Sequence, residues 1–92
     1  MLFRSAKETF KSHNDEYEQA LAEKDRGRAE NIKQQYPDLI KRKRIEALFD
    51  KAQETERLIK RREKKGLAVP QMLLDRLEKQ KADALEAFRS VR

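Results

Sequence analysis

Residues 45–88 read IEALFDKAQETERLIKRREKKGLAVPQMLLDRLEKQKADALEAF, two apolar seams with a break between them. Ile45, Ala52, Ile59 and Gly66 fall seven residues apart, and Leu48, Thr55 and Arg62 form much of a second seam. Beyond Gly66-Leu67-Ala68-Val69-Pro70 the pattern returns as Leu74, Leu77, Ala84 and Phe88. Apolar residues recurring at helical spacing on both sides of a short connector predict one helix folding back on another. The expected fold is therefore all-α, a small helical bundle built around a C-terminal antiparallel helical hairpin with coiled-coil character. Polar Thr55, Arg62 and Lys81 at or near the seam argue against a continuous, isolated coiled coil and are expected at bundle edges.

A hairpin needs helix ends on either side of its connector. Gly66 is a C-terminal breaker, and Arg61, Arg62, Lys64 and Lys65 suit the negative end of the helix that it closes. Pro70 fits the first turn of the last helix, where a missing amide hydrogen costs little. There Met72, Leu73, Leu74, Leu77, Ala84, Leu85 and Phe88 are expected to pack, with Asp75 and Lys79 as a supporting i,i+4 pair. Upstream, Pro37 disfavours helical geometry at Tyr36, so the third helix starts after it with Asp38 as candidate N-cap. Phe3, Ala6, Phe10, His13, Tyr17 and Ala20 make a first amphipathic stripe that Leu21 widens, and Ala29, Ile32 and Tyr36 make a second, shorter one. Ser5 and Glu8 have capping-box spacing, although Leu2 and Phe3 extend the helix further upstream. Asp25-Arg26-Gly27 is read as a turn between the two stripes. The result is a single helical domain over residues 1–92, with approximate helices at 3–25, 28–36, 39–65 and 70–90. No internal repeat is present. Ala29, Tyr36 and Pro37 resemble the ends of tetratricopeptide helices, but the spacing of the first segment departs from that family's pattern, and nothing about function follows from it.

Only 37% of the 92 residues are apolar and 43% are charged, a disorder-prone composition that the periodic stripes bring back to the folded class. Cysteine is absent, so disulfides and thiolate metal sites are excluded. No apolar run spans a membrane and no secretory pattern opens the chain, which makes a soluble cytoplasmic protein the default expectation.

The net charge of +6 is concentrated: residues 38–66 hold eleven basic and six acidic side chains, against seven and seven in residues 1–37. Lys41-Arg42-Lys43-Arg44 and Lys60-Arg61-Arg62 mark the two ends of the third helix. Lys43 and Arg61 share a helical face and span roughly 27 Å, suited to an acidic protein surface or to phosphates. Glu46, Asp50 and Glu54 interrupt the arc between them. Base-specific recognition lacks a helix-turn-helix pattern, paired zinc ligands or an aromatic platform.

Catalysis finds little support in the residues. His13 is the only histidine, and no nucleophile, general acid or metal-ligand set accompanies it. Glu46, Asp50 and Glu54 at four-residue intervals read as a solvated face rather than a cation site. Gly27 and Gly66 do not form a phosphate-cradling pattern. No catalytic, cofactor-binding or metal residues are expected, and no cofactor. The expected function is a non-enzymatic helical adaptor or regulatory protein-binding module. Phe10, Tyr17 and Tyr36 are its candidate protein contacts, and Lys41, Arg42, Lys43, Arg44, Lys60, Arg61 and Arg62 its contacts to an acidic partner or phosphate. The alternatives are a nucleic-acid-associated protein gripping the phosphate backbone and a structural self-assembly module.

Overall fold

A computed structural model describes residues 2–90. Its helices are α1 (Phe3–Ala22), α2 (Arg26–Gln35), α3 (Arg42–Lys64) and α4 (Gln71–Arg89), with a 3-10 turn over Pro37–Lys41 between α2 and α3. Helices α3 and α4 form the C-terminal antiparallel hairpin, α1 lies along one side of it, and α2 doubles back on α1. The fold is an all-α bundle.

Local chemistry places the breaks. Gly66 adopts φ +71, the left-handed conformation that ends many helices, and Leu67 N–H returns to the Arg62 carbonyl at 2.9 Å. Arg62 adds its guanidinium, donating from Nε to the Ala68 carbonyl at 3.0 Å. Pro70, extended at ψ 141, precedes the first residue of α4. The α1–α2 turn differs from the sequence expectation. It comprises Glu23, Lys24 and Asp25, with Lys24 at φ 58, while Gly27 lies inside the first turn of α2. Asp25 caps α2, its carboxylate accepting from the Arg28 amide at 3.1 Å.

Two further caps are corrected. Ser5 lies within the first turn of α1, whose N-cap is Leu2. Asp38 does not cap α3: it sits in the 3-10 turn, 5% exposed, and α3 starts at Arg42 behind Lys41, with no side-chain cap. Tertiary pairing explains the change, since the Asp38 carboxylate accepts from His13 Nδ1–H on α1 instead.

The core has two parts. Ala6, Phe10, Leu39, Ile45, Phe49 and Ala84 form the larger cluster, where α1, the 3-10 turn and the base of the hairpin meet. Phe49 is its hub, with Phe3, Phe10 and Phe88 at ring-centroid distances of 5.4, 5.8 and 6.4 Å. Ala52, Ile59 and Leu77 form the second cluster, and among the described residues Phe3 is the one side chain packed against it from outside the hairpin and its connector. The distal hairpin therefore projects beyond the rest of the bundle. The extents of 51 × 25 × 18 Å and a radius of gyration of 15.8 Å, against about 12 Å for a compact chain of this length, describe the same elongation.

Seam expectations divide. Ile45, Phe49, Ala52, Ile59, Leu77 and Ala84 are buried as the periodicity requires. Thr55, expected at an edge, is buried within the hairpin, where its hydroxyl donates to Gln80 Oε1 at 2.6 Å and lies 3.2 Å from the Lys51 carbonyl. Met72 stays 68% exposed because it points away from α3. Asp75 accepts from Gln71 at 3.0 Å and forms no ion pair with Lys79.

Candidate protein-binding face of the hairpin

The two sides of the hairpin are not equivalent, because α1 covers only one. On that side Glu46, Phe49, Asp50 and Gln53 of α3 meet Lys7, Phe10, Lys11 and Asn14 of α1, and Lys81 of α4 lies 5.7 Å from the centre of the Phe3 ring. Glu56 also belongs to it. The Lys60 ammonium bonded to Glu56 at 3.1 Å lowers its carboxyl pKa below the ordinary value, Lys81 and Lys7 add attraction, and slight desolvation opposes them.

The opposite side is open. At the base of the hairpin, Lys41, Arg44, Ile45 and Leu48 of the 3-10 turn and α3 line a groove of about 450 Å³ with Asp83, Glu86, Ala87 and Ser90. Seven-residue steps carry this side of α3 from Arg44 to Lys51, Leu58 and Lys65, and from Leu48 to Thr55 and Arg62. The row itself holds no acidic residue: Glu46 and Asp50 are exposed and line the groove on the α1 side, while Glu54, three residues after Lys51 and four before Leu58, borders the row from the outer arc. Across the groove α4 presents Leu73, Arg76, Gln80 and Ala87, with Met72 beside Arg76. Leu58 is 41% exposed, and Leu73 is half-buried between the two rows. Arg44, Lys51, Lys65 and Arg76 take part in no ion pair among the described residues. Basic charge therefore runs along the middle and tip of the open face, while Asp83 and Glu86 temper its base.

The predicted contact residues scatter. Lys41, Arg44 and Arg62 belong to the open face. Lys43 and Arg61 project from the outer arc beside Glu54, and Lys60 is held by Glu56. Arg42 is internal: it donates to Asn14 at 2.9 Å and Glu18 at 3.0 Å and lies 5.1 Å from the Tyr17 ring centre. Phe10, at 4% exposure, is core and offers no surface to a partner. Tyr17 is half-buried beneath Arg42, and Tyr36 stacks on His13 with ring centroids 3.6 Å apart and an interplanar angle of 8°. The sequence reading missed Lys51, Leu58, Lys65, Met72 and Arg76. The Arg44-Lys51-Leu58-Lys65 spacing was legible, but which side α1 would cover was not.

The other polar constellation joins α1 to the 3-10 turn. His13 Nδ1 lies 3.2 and 3.1 Å from the two Asp38 oxygens, and the buried Asn14 side chain accepts from Arg42. Its members satisfy one another, which suits a structural clamp that fixes α1 against the start of α3. Among the described residues, no group of three or more His, Asp or Glu is placed to hold a metal ion, and no helix is long and apolar enough to cross a membrane. Comparison of the chain with family models, curated proteins and solved structures gives no match.

Proposed function

We propose that the protein is a non-enzymatic helical binding module, an adaptor or regulator that receives a segment of another protein on the open face of its hairpin. The supporting observation is the one-sided cover: α1 packs on one face of α3 and α4, while the other leaves Leu58 exposed between Lys51 and Lys65. A helical hairpin completes its burial most simply by accepting another helix. Interfaces of this kind combine apolar anchors with flanking charge, and Leu58 between Lys51 and Lys65 offers both.

Nucleic acid is the second reading, favoured by the basic row of Arg44, Lys51 and Lys65 along α3. Against it, the six aromatic side chains all lie in the bundle interior or its margins, leaving no stacking platform on the open face.

Affinity capture on the purified protein after nuclease treatment, in low and moderate salt, separates the readings. A defined protein complex that survives nuclease, is lost with Leu58→Asp, and persists with Lys43→Gln is the expected result. Retention of nucleic acid alone, with a steep loss as salt rises, would overturn the proposal.

A further inference from the structure

We infer that the occupant of the open face is an acidic amphipathic helix, laid lengthwise between α3 and α4 opposite α1. This rests on the protein-binding reading above and adds the partner's chemistry. Three features lead to it. The face is a long, shallow two-helix groove: Arg44 to Lys65 spans roughly 31 Å of α3, a length that suits a helix rather than an isolated loop. Its apolar surface is Leu48 and Leu73 between the two rows, on either side of the bonded Thr55 and Gln80, and Leu58, exposed between Lys51 and Lys65, and an apolar stripe on a partner helix would cover it. Its margins are cationic, with Lys51 and Lys65 on one side and Arg76 on the other, none of them ion-paired among the described residues.

Charge then selects among occupants. A second copy laid antiparallel on this face would set Lys65 over the partner copy's base but bring Lys51 and Arg76, both near mid-length, against their own kind, a like-charge arrangement that opposes association. A glutamate-flanked leucine stripe satisfies both rows at once. The face is also polarised. Asp83 and Glu86 lie at its base and the uncompensated cations at its middle and tip, so the partner's carboxylates belong toward the 66–70 connector, and a basic residue is accepted over Asp83.

The test uses three synthetic peptides of equal length, each with leucine at i, i+3, i+4 and i+7 and with Glu, Gln or Lys at the flanking positions, titrated calorimetrically against the full chain. The Glu peptide should bind about tenfold or more tighter than the Gln peptide and weaken as salt rises from about 50 to about 300 mM, and the Lys peptide should not bind. Lys51→Glu with Arg76→Glu, two exposed positions, should abolish the preference for Glu while leaving the circular dichroism unchanged. Lys43→Glu should leave it intact. Should that double variant lose helicity, Lys51→Gln with Arg76→Gln reads the same preference.

Equal binding of the Glu and Gln peptides would overturn the acidic-partner inference and leave the protein-binding proposal standing. Failure of all three peptides would also overturn it, with the capture experiment deciding the broader proposal separately. A double-stranded oligonucleotide or phosphatidylserine vesicles bound more tightly than the Glu peptide, through Lys51 and Arg76, would assign the face to phosphate instead. Concentration-dependent dimerisation abolished by Leu58→Asp would assign it to a second copy.

Discussion

His13 illustrates how a side chain can be read correctly on its own helix and still lack its partner. Its place on the α1 stripe, between Phe10 and Tyr17, is evident from spacing. Its partner, Asp38, is twenty-five residues away and looked like a helix cap because it follows Pro37. Local pattern favoured the cap, whereas burial of the 3-10 turn favoured the imidazole. Asp38 is 5% exposed, so removing His13 strands a buried carboxylate, and His13→Ala should cost about 1–3 kcal/mol in chemical denaturation. The double variant with Asp38→Ala should cost clearly less than the sum of the two single changes, and simple additivity would mean that the pair is not coupled. Glu56 makes a smaller, pH-dependent contribution. Its carboxyl titrates below the ordinary 4.5 in the folded chain, so the stability it adds is present above that pH and fades as pH falls through the lowered folded value. Its ion pair with Lys60 is largely exposed, which limits the effect. Glu56→Gln should lower the thermal midpoint at pH 7 by about 1–3 °C, with the difference shrinking as the pH is taken down through the lowered carboxyl pKa.

At the scale of elements, the hairpin was the most legible feature because two independent signals coincide there, the seven-residue recurrence and the Gly66-to-Pro70 break. The start of α3 was less legible, since the short 3-10 turn is held by Leu39 and Asp38 packing into the bundle, which no local propensity reports. The α1–α2 turn shows a related limit: glycine was the natural choice for the break, yet the left-handed residue is Lys24 at φ 58. A lysine there carries the steric cost of a Cβ in the left-handed region. Lys24→Gly should therefore stabilise the protein by about 0.5–1 kcal/mol, whereas Gly66→Ala, at φ +71 in otherwise open space, should destabilise it by about 1 kcal/mol. Matched thermal melts of the two variants check both signs. The candidate face was half legible for the same kind of reason. Its heptad spacing on α3 is written in the sequence, but separating Arg44 and Lys51 from Lys43 and Arg61 requires the position of α1.

Across the whole molecule, the packing is graded from end to end. The base combines α1, the 3-10 turn, α3 and α4 around Phe49, while the distal hairpin depends on Ala52, Ile59 and Leu77, with Thr55 and Gln80 bonded between its helices. Phe49→Ala should thus cost about 3–5 kcal/mol, a large fraction of the stability of so small a domain, measured as a shift in denaturant midpoint. The chain has no tryptophan, and both tyrosines are at the base, Tyr17 under Arg42 and Tyr36 against His13. Intrinsic emission consequently comes from one pole of the molecule and is blind to the other. Far-ultraviolet ellipticity samples every turn of helix, so on warming it should begin to decline before the tyrosine signal changes, with the interval between the two curves reporting how loosely the far pole is tied to the rest.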